Sequence, residues 1–322
     1  MSKNTKFIGI DISKKVFDVW CEDFGHKQFC NSVDGFDEFS HWLYSESWCV
    51  MEYTGSYYQQ LAIYLYENGI SVSVVNPLVV KRYSQMKMQH SKTDRIDAKM
   101  LASYGQEQGV TQWSPNPDYI VACKDIHTTI TLYFRQSTAL KNKLLSLQDK
   151  GVKGKLLTSV KRQIRNIQKE IKLLEQEIEA LVCAEQQELV TNLKSIPGIG
   201  KKTAIMLIVT TNCFNSFDNA GQISAFFGLS PVETSSGTSI RGRSRISKRG
   251  NPVMRNYLFM CSFTASYKNP QCKALYDRIV VKGKSKKLAL IAVTNKLLKQ
   301  AFAIAKSGVS YHPDFKSVLV HK

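Results

Sequence analysis

Four carboxylates carry the first chemical signal. Asp11 stands in GIDIS, Glu52 in CVMEYTGS, and Asp94 and Asp97 in KTDRIDAKML. Hard divalent cations such as Mg²⁺ take several oxygen ligands, and a pair of them can stabilise both the attacking and the leaving oxygen of a phosphoryl displacement. Glu52 follows Cys49, Val50 and Met51, and a carboxylate in such an apolar strand is costly unless a partner or a cation compensates it. Asp94 and Asp97 are three residues apart and share one face of a helix. Taken singly, each acid has a plainer account: Asp11 could cap a turn, Glu52 could pair with a lysine, and Asp94 or Asp97 could complement a helix dipole. Their order on strand, strand and helix favours a joint role in holding one or two Mg²⁺ ions.

Cationic groups make up the second signal. In IPGIGKKTA the backbone at Gly198 and Gly200 can approach phosphates while Lys201 and Lys202 neutralise them at a helix N-terminus, the logic of a helix-hairpin-helix. The alternative is a plain turn between packed helices. The segment TSSGTSIRGRSRISKRGN carries Arg241, Arg243, Arg245, Lys248 and Arg249 with no acid among them, a composition suited to gripping phosphate. A serine beside a glycine in that field could serve as a nucleophile, because the glycine permits close backbone approach and the cations stabilise transition-state charge. By residue chemistry alone a solvated hydroxyl is the commoner reading.

These groups need elements to position them. KFIGIDIS, VFDVWCED and HKQFCNS alternate as three short strands of an antiparallel meander. A helix from Asp34 to Ser45, a strand WCVMEY, a helix from Tyr57 to Asn68 and a strand ISVSVVNP follow. A basic, Met-rich stretch then leads to a helix in SKTDRIDAKMLASYGQ, with Ser91 and Thr93 able to cap it. The order βββαβαβα suits a mixed sheet covered by helices on both faces, as in the ribonuclease-H-like fold. From Leu157 the apolar positions Val160, Ile164, Ile167, Ile171, Leu174, Ile178 and Leu181 step alternately by three and four, a heptad seam. Leu140, Leu144 and Leu147 repeat that step ahead of Gly151 and Gly154. The two stretches either fold back as a hairpin or self-associate, and the narrow seam favours a dimerising coiled coil. Helices over 252–266 and 284–307 close the chain.

Composition bounds the function. Across 322 residues, 43% apolar and 22% charged content excludes a disordered chain or a fibrous repeat. The formal charge of +18 is uneven, −3 over residues 1–130 and +21 over 131–322, so the second part seeks a polyanion, with nucleic acid foremost. The eight cysteines form no CxxC pair, which argues against zinc and for reduced, packed thiols. No apolar run approaches the ~20 residues of a membrane span, and no signal segment precedes the first strand. A cytoplasmic protein is expected.

Taken together, GIDISKKVFDVW, MEYTGSY, KTDRIDAKML, IPGIGKKTA and GLSPVETSSGTSIRGRSRISKRGNPVMR resemble, in order and spacing and over nearly the whole chain, the bridge-RNA-guided insertion-sequence recombinases of the DEDD type, relatives of the Piv DNA invertase. The resemblance implies an α/β RuvC-like metal-binding domain at 1–125, a coiled-coil arm at 126–188, and a mainly helical transposase domain at 189–322 with a helix-hairpin-helix and a catalytic serine. By motif position Asp11, Glu52, Asp94 and Asp97 match the Mg²⁺-binding tetrad. Ser236, immediately before Gly237, matches the nucleophile, with Ser235 as its neighbour. Also implied are a covalent phosphoserine link to DNA, a homodimer assembling to a homotetramer through the coiled coil, tetrad and serine drawn from different subunits, and a structured bridge RNA that pairs with donor and target DNA. Two other readings stand beside it: a Holliday-junction resolvase-like nuclease using the tetrad alone, and a non-enzymatic DNA-architectural protein.

Overall fold

A computed structural model describes residues 5–314 apart from 54, 90, 92, 233–234, 237–239 and 242–244; at 235, 236, 240 and 241 it describes the backbone alone. The chain divides into two compact units, Met1–Pro115 and Asn116–Lys322, ahead of the boundary expected at 125.

In the first unit, alternation produces the expected meander of β1 (Lys6–Ile12), β2 (Val16–Cys21) and β3 (Gly25–Cys30). Helix α1 (Val33–Trp42), β4 (Ser47–Glu52), α2 (Tyr58–Glu67), β5 (Ser71–Val75), α3 (Pro77–Met86) and α4 (Asp94–Gln108) follow. The sheet order is β3-β2-β1-β4-β5, with β4 parallel to both β1 and β5. Ile8, Ile10, Phe17 and Val19 on one face pack with Phe36 and Phe39 of α1 and Leu61 and Leu65 of α2. On the other face Phe7 and Val50 pack with Val80 of α3 and Leu101 of α4. Helix α3 lies in the Met-rich stretch for which no element was expected. Asn76 caps it, its side chain accepting from the Leu78 backbone N–H at 2.9 Å, and Pro77 supplies a preset φ at its first position.

Gly9 is what lets α4 lie on the sheet. A Cβ there would stand 1.8 Å from the Ala98 carbonyl oxygen and 2.5 Å from the Ala102 amide nitrogen. Both obstacles are backbone, so no rotamer change relieves them. Gly9→Ala is therefore expected to push α4 off β1 at a cost of about 3 kcal/mol or more, read as a lower urea midpoint for the first unit. An unchanged midpoint would contradict this packing.

The second unit is mostly helical. Helices α5 (Asp118–Asp149) and α6 (Lys155–Lys194) lie against one another, joined through Gly151 and Gly154. The heptad seam is used within the chain: Ile164, Ile171 and Ile178 of α6 are buried, and Ile171 and Ile178 share a core with Ile130 of α5. Apolar groups left on the outside include Leu132, Phe134, Leu145, Leu156 and Leu173. Then come α7 (Lys201–Thr211), α8 (Ala220–Phe226), four two-residue strands β6 (Pro231–Val232), β7 (Ser235–Ser236), β8 (Ile240–Arg241) and β9 (Arg245–Ile246), and helices α9 (Pro252–Lys268), α10 (Pro270–Val281) and α11 (Lys286–Ser307). Ile120, Ile205, Leu207, Phe214, Phe227, Leu258, Leu297 and Phe302 belong to one core that draws on α5, α7, α9 and α11. Helix α10 was not expected; buried Asn269 ends α9 and also caps α10 by accepting from the Cys272 N–H at 3.2 Å. Helix α11 is long and apolar enough by length and composition to cross a membrane, and half of that window is buried in the unit. All eight cysteines are free.

Candidate active site

The acids gather at one end of the first sheet for reasons visible in the backbone. Side chains alternate along β1, so Phe7, Gly9 and Asp11 share the face that α4 covers while Ile8, Ile10 and Ile12 enter the opposite core. Strands β1 and β4 are parallel with Gly9 opposite Val50 and Ile10 opposite Met51. Val50 packs on the α4 side, and Glu52, two residues on, shares that face. Helix α4 runs against β1: Ala98 and Ala102 meet Gly9, whereas Gly105 meets Phe7. Its first turn, with Asp94 and Asp97, is thereby carried toward the C-terminal end of β1 where Asp11 stands. Thr93 fixes that turn, its hydroxyl accepting from the Ile96 N–H at 3.3 Å.

The electrostatics reflect this gathering. Burial first, then the charges of Asp97, Asp94, Glu52 and Asp18, push the Asp11 carboxyl up to about 6. Among the described residues no three ligating side chains are already drawn around a single point, and like-charged carboxylates repel unless a cation or a proton is shared among them. The donor set is entirely oxygen and strongly anionic, the chemistry that suits a hard divalent cation.

One acid in this field was missed from the sequence. Asp18 is 5% exposed and is the direct cross-strand partner of Asp11. Its signal was available as the single carboxylate inside the apolar run VFDVW.

The cationic residues lie in the second unit. Helices α6 and α7 are joined by a short turn through Gly198 and Gly200, and Lys201 and Lys202 open α7. Both lysines turn back to α6, Lys201 to Glu179 and Lys202 to Glu175 at 2.5 Å. Lys202 also lies over the rings of Tyr257 and Phe134, at 5.5 and 5.8 Å. Burial pulls the Lys202 pKa down, but the Glu175 hydrogen bond and the adjoining Tyr257 outweigh it and leave it raised. A phosphate approaching this turn must compete with two glutamates for the ammonium groups.

Among the described residues, the serine-rich segment forms two short antiparallel pairings, a ribbon in outline. Pro231 and Val232 pair with Ile246 and Arg245, and beyond them Ser235 and Ser236 pair with Arg241 and Ile240. Ser236 thus stands on the first strand of the outer rung, directly across from Ile240. The side chains of Ser235, Ser236 and Arg241, and Arg243 as a whole, lie outside the described residues. Arg245, Lys248 and Arg249 are exposed along the returning strand and its exit.

At the base of the ribbon the two strands of chain are nearly in backbone contact. Gly250 has φ +117, and a Cβ on it would stand 2.0 Å from the Phe226 carbonyl oxygen. The Lys248 N–H donates to the Gly228 carbonyl at 3.1 Å, and Arg255 Nη1 donates to the Phe227 carbonyl at 3.0 Å. Gly250→Val is expected to open this neck, lowering any chemistry that depends on Ser236 by at least ~10-fold while far-ultraviolet helicity is retained. Undiminished chemistry in that variant would show that the neck does not position the ribbon.

Comparison with known proteins converges on one group. The model described as the Transposase IS116/IS110/IS902 family matches residues 190–277, and a DEDD transposase model matches residues 8–150. The chain is 30% identical to the pilin gene-inverting protein of Moraxella bovis, over 96% of this chain and 97% of that one. It is 24% identical to the transposase for insertion sequence element IS1111A of Coxiella burnetii, over 91% of this chain and 88% of that one.

Proposed function

The chain belongs to the IS110 family of transposases, enzymes of DNA recombination, and from that premise we propose that it cuts and rejoins DNA through a phosphoserine intermediate under the direction of a structured bridge RNA. The observation that carries this reading is the gathering of Asp94, Asp97 and Glu52 near Asp11 at the C-terminal end of β1, where burial first and then their charges push its carboxyl up to about 6. The sheet order β3-β2-β1-β4-β5 with a leading meander supports a RuvC-like, ribonuclease-H-like assignment for the first unit, Met1–Pro115. Residues 126–188 then form the arm and 189–322 the transposase domain.

Asp11, Glu52, Asp94 and Asp97 would hold Mg²⁺, which supplies Lewis-acid stabilisation of charge on phosphate oxygens. The protein's own residues do the rest. Ser236 Oγ attacks the scissile phosphorus, the bond from phosphorus to the departing deoxyribose oxygen breaks, and the serine proton passes to that oxygen. Rejoining reverses the exchange: a deoxyribose hydroxyl displaces Ser236, so no external energy is needed. Arg241, Arg243, Arg245, Lys248 and Arg249 neutralise the surrounding phosphates, with Lys201 and Lys202 at the hairpin. These groups hold backbone and leave sequence choice to the RNA, in keeping with the +21 charge of residues 131–322. In this proposal acids and serine come from different subunits of a homodimer that assembles to a homotetramer, with exposed arm residues such as Leu145 and Leu173 available for association.

The test is incubation of the protein with Mg²⁺, donor and target DNA and the element's noncoding RNA, followed by denaturing electrophoresis. A protein–DNA species that survives denaturation and requires the RNA is expected. Cleavage without any such species would favour the resolvase-like nuclease, and binding without cleavage the architectural protein.

A further inference from the structure

Asp18 is the buried acid that the mechanism above leaves unused. Its carboxylate accepts hydrogen bonds from Gln28 Nε2 at 3.1 and 3.2 Å and lies 2.6 Å from His26 Nε2. All three belong to the meander: Asp18 pairs with Gln28 across β2 and β3, and His26 with Trp20. Asp18 and Trp20 share one face of β2 by alternation, and that face looks to α4, because Lys99 of α4 lies over the Trp20 ring at 5.3 Å. On the other side Asp18 pairs in register with Asp11. Side chains directly opposite on antiparallel strands have Cβ atoms ~5 Å apart, where like charges are unfavourable. Asp18 is thus buried beside the most heavily loaded acid of the site and kept there by its own partners.

We infer that Asp18, fixed by His26 and Gln28, is a positioning residue of the acid site, a fifth carboxylate whose set charge behind Asp11 strengthens capture of a divalent cation. Asp18 acts through Asp11 and the field at the end of β1, in the manner of outer carboxylates that tune metal sites. The inference rests on the reading of Asp11, Glu52, Asp94 and Asp97 as a cation site. It extends that site onto β2 and β3, where no member of the tetrad lies.

Binding of Mn²⁺ to the full chain without nucleic acid, followed by electron paramagnetic resonance at fixed pH, tests it. Asp18→Asn removes the charge and keeps one oxygen that can accept from His26 and Gln28, the other becoming a donating amide group; in a variant that remains folded, Mn²⁺ binding is expected to weaken at least ~10-fold. In DNA cleavage the same variant should need correspondingly more Mg²⁺ yet reach the wild-type rate at saturation, a split that a merely structural role would not produce. Asp18→Glu, which retains the charge, is expected to lose less than the ~10-fold expected of asparagine, and it decides the matter if the asparagine variant does not fold: a folded glutamate variant with lost Mn²⁺ binding overturns the inference. Wild-type binding in folded Asp18→Asn, with binding abolished in Asp11→Asn, also overturns it and leaves the tetrad standing. Full binding in Asp11→Asn would instead remove the tetrad reading and this inference with it.

Discussion

Ser236→Ala is expected to abolish the covalent protein–DNA species and to lower strand exchange on the order of 10⁴-fold or more. The reason is chemical: in this mechanism the phosphoserine link stores the phosphodiester between cutting and rejoining, and removing the hydroxyl removes the atom that becomes bonded to phosphorus. Ser236 stands on the first strand of the outer rung of the ribbon, whose neck is set by the close approach of Gly250 to Phe226. The alanine variant keeps every arginine and lysine of the ribbon, so DNA and RNA binding should persist. The check is a denaturing gel alongside a filter-binding measurement. If the adduct forms in Ser236→Ala and disappears in Ser235→Ala, the neighbouring hydroxyl is the nucleophile. Persistent cleavage with no adduct in either variant would leave the acids to act alone.

Asp11→Asn should separate function from stability. Cleavage is expected to fall on the order of 10³-fold, because the acid at the centre of the cluster is lost. In a chelator at neutral pH the same variant is expected to melt higher than the wild type. Burial and four neighbouring acids hold the Asp11 carboxyl at about 6 against an ordinary 3.8, so its ionised form is disfavoured in the fold, and an amide carries no such charge. The sign with pH follows. The folded protein binds this proton more tightly than the unfolded chain, so the contribution of Asp11 to stability is fullest below the ordinary value and is lost as pH rises through about 6. Chelated wild-type protein should therefore lose stability between about pH 4 and 7 more steeply than Asp11→Asn. Parallel curves, or a variant that melts lower, would contradict the placement of Asp11 among like charges.

Much of the first unit was legible because its physics is local. Alternation marked β1, β2 and β3, and Thr93 ahead of Ile96 and Leu101 marked α4. Asp11, Glu52, Asp94 and Asp97 stood out because each acid sits at the end of an apolar strand or in the first turn of a capped helix. What escaped depends on partners distant in sequence or on weak periodicity. Helix α3 leaves Leu78, Val79 and Met86 exposed, so its apolar stripe is broken, and in α10 only Cys272 is buried. The heptads of α6 announce a seam but do not say whose helix fills it; α5 of the same chain does. Lys201 and Lys202 read as free phosphate grips because Glu179 and Glu175 lie a turn apart far back on α6. The serine segment read as a loop because two-residue strands are too short to alternate. Asp18 was hidden by register, since only the turn between β1 and β2 sets it opposite Asp11.

The most direct measurement joins the two ends of the site. Co-expressing differently tagged Asp11→Asn and Ser236→Ala chains, each inactive alone, should yield mixed oligomers that form the denaturation-resistant adduct, with DNA bonded only to the chain that still carries Ser236. Should co-expressed chains assemble and bind DNA and RNA yet form no adduct, or should DNA be found on the Ser236→Ala chain, the acids and the serine do not serve one phosphate from different subunits.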